Sequence, residues 1–478
     1  WSISRQRFWA SVIPLWRCET CKEMRVFGSA TELEEASGTK VNDLHKHIVD
    51  AVTVSCACGG TMKRIPDVID TWFDSGSMPY GQAHYPFEHK ERFENTFPAQ
   101  FIAEGQDQCR AWFYYLHVLA TSIFNTNAFQ NVIVNGIVLA EDGKKMSKKL
   151  KNYPDPMLIV DKYGADALRL YVLASPVMQA ENLNFSEKGV SEWRGVLTRL
   201  ENVLSFYQLY RGDIAHEASS ASAHVLDRWI IARLAQLHSE VTVAMNEYNL
   251  TAAARPIAGF VDDLSTWYLR RSRERIKGDD MTDKKAALET TRYVLRESAK
   301  IIAPFAPFAA DVLWREVGEG VESAHLVQWP EVRECDTDLI DEMEQVRAIA
   351  SHALQGRASA GIKVRQPLAL LKVQHAAPSS DTAALEELLV DEVNVKAIVW
   401  GQEIPFLTDL DTTITEELRE EGTVRDMIRV VQDARKNAKL NPGEHAALTV
   451  SFGDLDAAIV AKHLHDVAAQ TNTEIVLG

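Results

Sequence analysis

A run of lysines around a single hydroxyl group is the stretch of this sequence best suited to chemistry. The run, Asp142-Gly143-Lys144-Lys145-Met146-Ser147-Lys148-Lys149, follows two short apolar segments at 132–134 and 137–139. Its opening acidic residue and glycine are a turn signal, so we expect the lysines on a loop after two strands. Ammonium groups beside Ser147 suit a polyphosphate whose charge must be held and then neutralised as it leaves. A solvated lysine-rich turn is the alternative for such a run taken alone.

Four of the six cysteines form a candidate metal site. They stand in two close pairs, which are Cys18 with Cys21 and Cys56 with Cys58. Close pairs in a chain of cytosolic appearance indicate metal ligands rather than disulfides. Four thiolates suit tetrahedral zinc in a closed structural site, whose expected role is to fold residues 18–65, a segment too short for its own core. His45 and His47 are alternative ligands, and four free thiols are the alternative to a metal.

Two tryptophans lie in stretches that predict an apolar binding slot. Trp72 stands close to the small residues Ser75, Gly76 and Ser77. An aromatic wall beside small residues is typical of a pocket for an apolar side chain, with a buried core tryptophan as the alternative. Trp112 opens a segment in which apolar residues recur at helical spacing, and this spacing predicts a helix to about residue 124.

A strand-to-helix turn precedes this second tryptophan. The segment 101–103 predicts a short buried strand, and Glu104-Gly105-Gln106-Asp107-Gln108 predicts the turn that leads into the helix. Such a turn at the carboxyl edge of a parallel sheet is the usual ligand position in doubly wound folds. Its carboxylates and amides can receive an ammonium group and ribose hydroxyls. Asp107 has the alternative role of a helix N-cap.

The pattern becomes helical from about residue 186 to 317, where four antiparallel helices are expected to form a bundle. The third helix contains the arginine string, Trp267-Tyr268-Leu269-Arg270-Arg271-Ser272-Arg273. Its arginines suit phosphate groups, and its aromatic rings suit the stacking of a splayed base. Arginines that pair with nearby acids on a solvated face are the alternative.

The C-terminal region predicts a smaller α/β unit. Alternating apolar and polar residues predict a strand at 361–368, and the charged segment 415–437 predicts a helix. The last forty residues predict a strand, a helix at 455–470 and a second strand. A length of 478 residues indicates two or three domains, and the net charge of −16 argues against a wholly cationic nucleic-acid binder but not against a local basic face. No apolar run reaches the roughly 18 residues that a membrane span needs, so we expect no membrane partner and a cytoplasmic protein.

Several of these strings resemble one known family. Lys145-Met146-Ser147-Lys148-Lys149 resembles the KMSKS signature of class I aminoacyl-tRNA synthetases, with lysine where the signature ends in serine. The segments 1–9, 70–80 and 104–108, followed by Trp112-Phe113, resemble isoleucyl-tRNA synthetases, in order along nearly the whole chain. The resemblance implies an α/β fold, with part of a doubly wound, Rossmann-like catalytic domain followed by an all-α anticodon-binding bundle and a small α/β junction region.

The resemblance also implies domain bounds and residue roles. The expected domains are 1–185 (catalytic, with the zinc module at about 18–65), 186–330 (anticodon-binding) and 331–478 (junction). Lys148, helped by Lys145 and by Mg²⁺, is implied to neutralise the pyrophosphate that leaves ATP. The residues implied to hold ATP and the adenylate are Glu104, Gly105, Asp107, Gln108, Lys145, Met146, Ser147 and Lys148. Those implied to flank isoleucine are Trp72 and Trp112, and those implied to contact tRNA are Trp267, Arg270, Arg271 and Arg273. Those implied to bind zinc are Cys18, Cys21, Cys56 and Cys58.

The implied activity is ATP-dependent conversion of isoleucine to isoleucyl-adenylate and its transfer to tRNA(Ile), by a monomer. The HIGH tetrapeptide of the family is absent from the sequence, and the sequence opens with Trp1 inside a motif. We therefore expect a truncated chain that lacks the first half of the nucleotide fold and the editing domain, and that is inactive by itself. A valyl- or leucyl-tRNA synthetase is one alternative, and a non-catalytic, zinc-containing tRNA-binding protein is another.

Overall fold

A computed structural model describes residues 1–147, 149, 152–212, 219–331, 333–379, 381–441 and 444–478. The chain divides into two compact units, which are Trp1–Arg194 with Val243–Arg255, and Gly195–Thr242 with Pro256–Gly478. The division into three domains at residues 185 and 330 stays a prediction. No helix in the described ranges is both long enough and apolar enough to cross a bilayer.

The first unit combines short strands with short helices. Its strands are Ser4–Arg5, Leu15–Cys18, Met24–Val26, Thr53–Ser55, Thr61–Arg64, Val68–Ile69, Ala99–Gly105, Phe129–Asn135, Val138–Leu139 and Leu183–Asn184. Its α-helices are Ala30–Ser37, Lys46–Val49, Thr71–Gly76, Met78–Gly81, Lys90–Thr96, Trp112–Phe124, Pro156–Tyr163, Ala165–Leu173 and Leu250–Ala254. The helix Trp112–Phe124 confirms the one that apolar spacing predicts.

The cysteine module, residues 18–65 with the strand that leads into it, contains a four-stranded antiparallel sheet. Ser29 caps the adjoining helix by accepting the N–H of Glu32 at 3.1 Å, and the Glu32 side chain accepts the N–H of Gly28, the residue before the cap, at 2.9 Å. Trp16 is buried beneath the sheet and donates its indole N–H to the Val52 carbonyl at 2.8 Å. The residues that pack around it are Phe27, Leu33, Val41, Val49, Val54 and Met62. The prediction that the module is too short for a core of its own is therefore wrong.

The strands Ala99–Gly105 and Phe129–Asn135 pair in parallel and are joined through the helix Trp112–Phe124. This connection is the strand–helix–strand unit of doubly wound folds. The prediction of a buried strand is wrong, because Phe101 is 51% exposed. In the described part of the chain this sheet has two strands, so the helix covers one face while the other face remains open.

The second unit is mainly helical. Its α-helices are the end of Glu187–Tyr210, then Val225–Asn246, Pro256–Asp262, Arg270–Lys277, Met281–Ile302, Pro307–Val317, Thr337–Ser359, Thr382–Val393, Glu416–Asn437 and Ala457–Gln470. A π-helical segment, Asp263–Leu269, joins two of them into one continuous helix. The helices predicted over the bundle segment are confirmed, and Pro307–Val317 adds one beyond the four expected.

Two small sheets complete this unit. Leu368–Val373 pairs with Val395–Val399 in parallel and with Thr408–Leu410 antiparallel, while Ala446–Val450 pairs in parallel with Thr473–Leu477. The strand predicted at 361–368 is wrong, since residues 361–367 form turns and the strand begins at Leu368. The reason is Arg357, which is fully buried and gathers the carbonyls of Lys363 at 3.3 Å and Gln366 at 2.8 Å.

Candidate active site and metal site

The carboxyl ends of the two long parallel strands form the first part of the candidate site. Gly105 and Asn135 are register partners at these ends, so they lie at the same edge of the sheet. The Cβ of any residue replacing Gly105 would lie 2.6 Å from Asp107 Oδ1, so a side chain at this position would displace the carboxylate. At Gly136 the added atom would lie 1.8 Å from the Glu181 carbonyl oxygen, so the turn after the second strand also requires glycine.

The strand end and the turn that follows it each present one carboxylate to solvent. Gln108 Oε1 accepts the backbone N–H of Trp112 at 3.0 Å, and Gln108 Nε2 donates to Asp107 Oδ2 at 3.1 Å. Gln108 therefore provides the acceptor for a free N–H group at the start of the helix. The alternative role of Asp107 as the N-cap is wrong. Glu104 and Asp107 are both exposed, which leaves their oxygens open to a polar ligand.

The two tryptophans are brought together by packing of the helices Thr71–Gly76 and Trp112–Phe124. Trp112 donates its indole N–H to the Ser75 carbonyl at 3.0 Å. The ring of Trp72 stacks on Tyr115, with 5.2 Å between the ring centroids. Trp72 is 38% exposed, so it is not the core tryptophan of the alternative interpretation. A Cβ added at Gly76 would lie 3.0 Å from the Tyr115 backbone, so the lack of a side chain at Gly76 allows the two helices to approach closely.

A buried carboxylate anchors the N-terminal strand beside these rings. Asp70 is 3% exposed, and it accepts the indole N–H of Trp1 at 2.8 Å and the guanidinium of Arg5 at 3.0 Å. The ring of Trp1 lies 4.6 Å from that of Tyr115. Asp70 thus joins the start of the chain to the tryptophan-bearing helix.

The lysine loop (residues 141–147 with 149 and 152) begins with the predicted turn. Gly143 has a φ of 77° and donates its N–H to the Ala140 carbonyl at 2.8 Å. Lys144 pairs with Asp142 at 2.7 Å, so its ammonium group is already neutralised. The Lys145 side chain is exposed and forms no ion pair with the part of the chain that the structure describes. Lys148, which carries the main catalytic prediction, lies outside the described residues.

Asn152 closes this loop from its far end. Its Oδ1 accepts the N–H of Ser147 at 2.9 Å, and its Nδ2 donates to the Lys145 carbonyl at 3.2 Å. Ser147 Oγ accepts the N–H of Lys149 at 3.2 Å, so the hydroxyl group shapes the loop. Met146 lies between these two bridged positions and is half-buried.

The four paired cysteines meet in one cluster. All four Sγ atoms lie within 4.8 Å of one another, and two of the separations, Cys18 to Cys58 and Cys21 to Cys56, are both 3.6 Å. Tetrahedral zinc with Zn–S bonds of 2.3 Å separates its sulfurs by about 3.8 Å, so the donor set fits this metal. Backbone N–H groups of Cys21 and then Thr20 lower the pKa of the Cys18 thiol to about 6, which favours the thiolate that a metal requires.

The two histidines of the module have other neighbours. His45 Nδ1 lies 2.6 Å from an oxygen of Asp43, and the ring of His47 stacks on Phe8 at 6.2 Å. Both histidines are exposed and neither belongs to the four-thiol cluster. They are therefore not the alternative metal ligands.

The arginine string lies mostly in internal contacts. Trp267 is 6% exposed and donates to Met343 Sδ at 3.3 Å, so its ring is not open to a base. Arg270 pairs with Glu392 at 2.7 Å, and Arg271 pairs with Asp391 at 3.2 Å, both acids on the helix Thr382–Val393. Both arginines are therefore already paired with acids, and the tRNA contact of Trp267, Arg270 and Arg271 stays a prediction.

Arg273 differs from its neighbours in the string. It is exposed, and its guanidinium carbon lies 5.9 Å from the centroid of the Phe206 ring. It pairs with no acid among the residues that the structure describes.

Sequence reasoning missed three residues that shape the site. Asn135 Oδ1 is shielded from solvent and has no hydrogen-bond partner within the described ranges, although it lies at the sheet edge beside Gly105. The Asn-Gly pair at 135–136, after an apolar run, is the turn signal that marks it. Tyr115 follows Trp112 by three positions on one helix face, which is the spacing of neighbouring side chains. Asn152 offers no comparable sequence signal.

Comparisons with known proteins agree with this arrangement. Residues 1–184 match the family of class I tRNA synthetases (I, L, M and V), and residues 227–374 match the anticodon-binding domain of tRNA ligases. The isoleucine–tRNA ligase of Treponema pallidum (strain Nichols) is 36% identical over 97% of this chain and 52% of its own length. The isoleucine–tRNA ligase of Chlamydia caviae is 43% identical over 91% of this chain and 43% of its own length. That of Chlamydia trachomatis serovar D is 45% identical over 86% of this chain and 40% of its own length.

The chain thus spans about half the length of the curated relatives it matches. A solved structure with the same fold is LeuRS of Agrobacterium radiobacter K84 agnB2 in a ternary complex with tRNA and LeuAMS, with a TM-score of 0.53, 23% identity, and coverage of 71% of this chain and 42% of that one. With two family matches in order and relatives similar over most of its length, the chain belongs to the isoleucine–tRNA ligase family of class I tRNA synthetases.

Proposed function

We propose that this chain is the part of an isoleucine–tRNA ligase that binds isoleucine and guides the leaving pyrophosphate. The observation that carries the proposal is the meeting of Trp72 and Trp112 through Ser75 and Tyr115, immediately after the polar strand end. Two indole rings held by helix packing provide apolar walls for a branched aliphatic side chain. Similarity to isoleucine–tRNA ligases over most of the chain supports this choice of amino acid.

The polar strand end would hold the charged parts of the substrate. We propose that Glu104 and Asp107 receive the isoleucine ammonium group and ribose hydroxyls, because both carboxylates are exposed. Gly105 allows close approach of the backbone, and Gln108 fixes Asp107 by its 3.1 Å hydrogen bond. Asn135 brings a shielded amide oxygen to the same edge.

The chemistry needs no protein nucleophile. An isoleucine carboxylate oxygen attacks the α-phosphorus of ATP, the bond to pyrophosphate breaks, and isoleucyl-adenylate forms. A ribose hydroxyl at the 3′ end of tRNA(Ile) then attacks the adenylate carbonyl, and AMP leaves. Positioning and charge neutralisation carry such steps, so Lys145 and Lys148 would act by neutralising the pyrophosphate as it departs. Bound Mg²⁺ would add positive charge at the phosphates.

The remaining candidate residues would bind a structural metal or contact tRNA. Cys18, Cys21, Cys56 and Cys58 would hold Zn²⁺ in a closed, four-thiolate site that leaves no position for a substrate, so the metal would stabilise the module. Arg273 remains our candidate for a phosphate contact with tRNA, because it is exposed and unpaired among the described residues. We propose action as a monomer in the cytoplasm.

The direct test is isoleucine-dependent exchange of pyrophosphate into ATP, with valine and leucine as competing substrates. It uses the longest natural form of the protein that contains this sequence. We expect exchange with isoleucine and a weaker response to valine, since one methylene is worth only about 1–3 kcal/mol. Preference for leucine or valine would assign a sister enzyme instead. Binding of tRNA without any exchange would support the non-catalytic alternative.

Adjacent lysines offer a matched test of the loop. Lys145→Ala and Lys148→Ala should each slow exchange by about 10²-fold with little change in the KM for isoleucine. Lys144→Ala is the control, because its ammonium group is already paired with Asp142 at 2.7 Å. Equal effects of all three substitutions would contradict a specific role for Lys145 and Lys148.

A further inference from the structure

A short segment, residues 182–186, lies beside the strand that leads into the lysine loop, and we call it the support segment. Its strand Leu183–Asn184 pairs in parallel with Val138–Leu139. The backbone N–H of Phe185 donates to the Leu139 carbonyl at 2.9 Å. The support segment therefore holds the backbone of the strand from which the loop starts.

The lysine loop folds back against the other edge of the same strand. Leu139 forms an antiparallel bridge with Lys145, and the N–H of Ala140 donates to the Lys144 carbonyl at 2.9 Å. Leu139 thus lies between the support segment on one side and Lys145 on the other. Because the hydrogen bonds of a ladder fix neighbouring strands relative to each other, a shift of the support segment would move the backbone that carries Lys145.

Tyr171 holds the support segment at its far end. The side chain is 9% exposed, and its hydroxyl oxygen accepts the Ser186 N–H at 2.9 Å and donates to the Asn184 carbonyl at 3.4 Å. Its ring meets Phe185 edge-on, with 5.7 Å between the centroids, and a Cβ added at Gly189 would lie 2.4 Å from the ring. Burial raises the pKa of Tyr171, so the hydroxyl keeps the proton that it donates. Both of these hydrogen-bond partners belong to the support segment.

The helix that carries Tyr171 does not depend on this hydroxyl group. Ala165–Leu173 fully buries Ala167 and Leu170, so apolar packing holds the helix in place. The aromatic ring keeps its own packing when only the oxygen is removed, as in phenylalanine. The hydroxyl group therefore serves the support segment rather than the core, and its removal is a local perturbation.

We propose that the Tyr171 hydroxyl is a positioning group for the lysine loop. By bridging Asn184 and Ser186, it keeps the support segment paired with Leu139. This pairing places the backbone of Lys145 for its contact with the departing pyrophosphate. The inference rests on the proposed function for the identity of that phosphate group. It gives Tyr171 an effect on the rate that acts through Lys145, without any contact of its own to a substrate.

The first experiment tests the support of the loop without an enzyme assay. Hydrogen exchange, followed by mass spectrometry on the longest natural form of the protein, compares the wild type with Tyr171→Phe. Exchange in peptides covering 137–146 and 182–186 should rise about fivefold, the size of one lost neutral hydrogen bond, while the helix Trp112–Phe124 stays unchanged. The control is Tyr80→Phe, which should leave both peptides unchanged, because Tyr80 is a buried tyrosine of the same unit whose hydroxyl has no partner among the described residues. Unchanged exchange in the two peptides of Tyr171→Phe would overturn the inference, as would an equal rise along the whole unit.

The second experiment measures isoleucine-dependent pyrophosphate exchange. Tyr171→Phe should lower kcat about fivefold at an unchanged KM for isoleucine. In the Lys145→Ala background the same substitution should lower kcat by less than about twofold, because both changes act on one group. Fully multiplicative losses in the double variant, or a wild-type kcat in Tyr171→Phe, would overturn the inference while leaving the proposed function in place. No exchange by the unaltered protein would refute the proposed function and the pyrophosphate contact with it, and hydrogen exchange would still show whether Tyr171 holds the loop.

Discussion

The amide of Asn152 holds the lysine loop closed, and its removal gives the sharpest test of the proposed mechanism. Asn152→Ala deletes the acceptor for the Ser147 N–H at 2.9 Å and the donor to the Lys145 carbonyl at 3.2 Å. These bonds fix the backbone on both sides of Met146. The side chain itself contacts no proposed substrate group, so the substitution acts through the loop.

The size of the effect follows from these two hydrogen bonds. Each bond contributes about 0.5–1.5 kcal/mol, and both belong in the lower part of this range because the loop is largely exposed. Their combined loss raises the free energy of the closed loop by ~1–2 kcal/mol, which slows a step that needs the closed loop about 5–30-fold. The free energy of unfolding should fall by no more than this amount, because the two bonds are the only ones that the substitution removes among the described residues.

The assay is isoleucine-dependent pyrophosphate exchange with the longest natural form of the protein. We expect a lower kcat at an unchanged KM for isoleucine, because Trp72 and Trp112 are held by helix packing rather than by the loop. Asn152→Asp keeps the acceptor for Ser147 and loses the donor, so its rate should lie between those of the wild type and Asn152→Ala. An exchange rate of Asn152→Ala within twofold of the wild type would refute the reasoning.

Three other outcomes follow from single features of the structure. Chelation should remove one zinc per chain and lower the thermal midpoint while far-UV circular dichroism keeps its sheet signal, because the module has its own core; Cys18→Ser should bind no stoichiometric zinc. Arg357→Met should cost about 2–4 kcal/mol in urea unfolding, since it strands carbonyls that now accept from a buried guanidinium. A hydrogen bond from Arg275 lowers the pKa of Asp283 below its ordinary 3.8. Asp283→Asn should therefore destabilise the fold at pH 7, and its difference from wild type should vanish as pH falls through that lowered pKa.

Local patterns in the sequence predicted the elements that local forces determine. The helix Glu416–Asn437 starts where Thr415 accepts the N–H of Leu418 at 3.3 Å, and the helix Ala457–Gln470 starts at the cap Asp456. Apolar spacing and capping residues mark both helices in the sequence. Alternation at 361–368 predicted a strand by the same reasoning, but a long-range contact decided otherwise. The carbonyls there are held by Arg357, whose role depends on tertiary burial that no local pattern reveals.

The features of the candidate site likewise fall into local ones, which the sequence indicates, and long-range ones, which it does not. The turn after Gly105 and the cysteine pairs are local, so their residue types and spacing were sufficient to indicate them. The contact between Trp112 and Ser75 joins positions 37 residues apart, and that between Trp1 and Asp70 joins positions 69 apart. Such contacts depend on how helices pack, which the sequence pattern does not specify.

The arginine string shows how packing selects among similar side chains. Trp267 and Arg271 stand four positions apart and so share one helix face, which is covered because Arg271 meets Asp391 at 3.2 Å and Trp267 reaches Met343. Arg273 lies two positions beyond Arg271, about 200° around the helix, and is exposed without an acidic partner among the described residues, whereas the exposed Arg270 is paired with Glu392. A guanidinium already paired with a carboxylate must lose that partner before it can bind phosphate, whereas Arg273 needs no such exchange. Of the residues in the string, Arg273 is accordingly the one that we propose first for a contact with RNA phosphate.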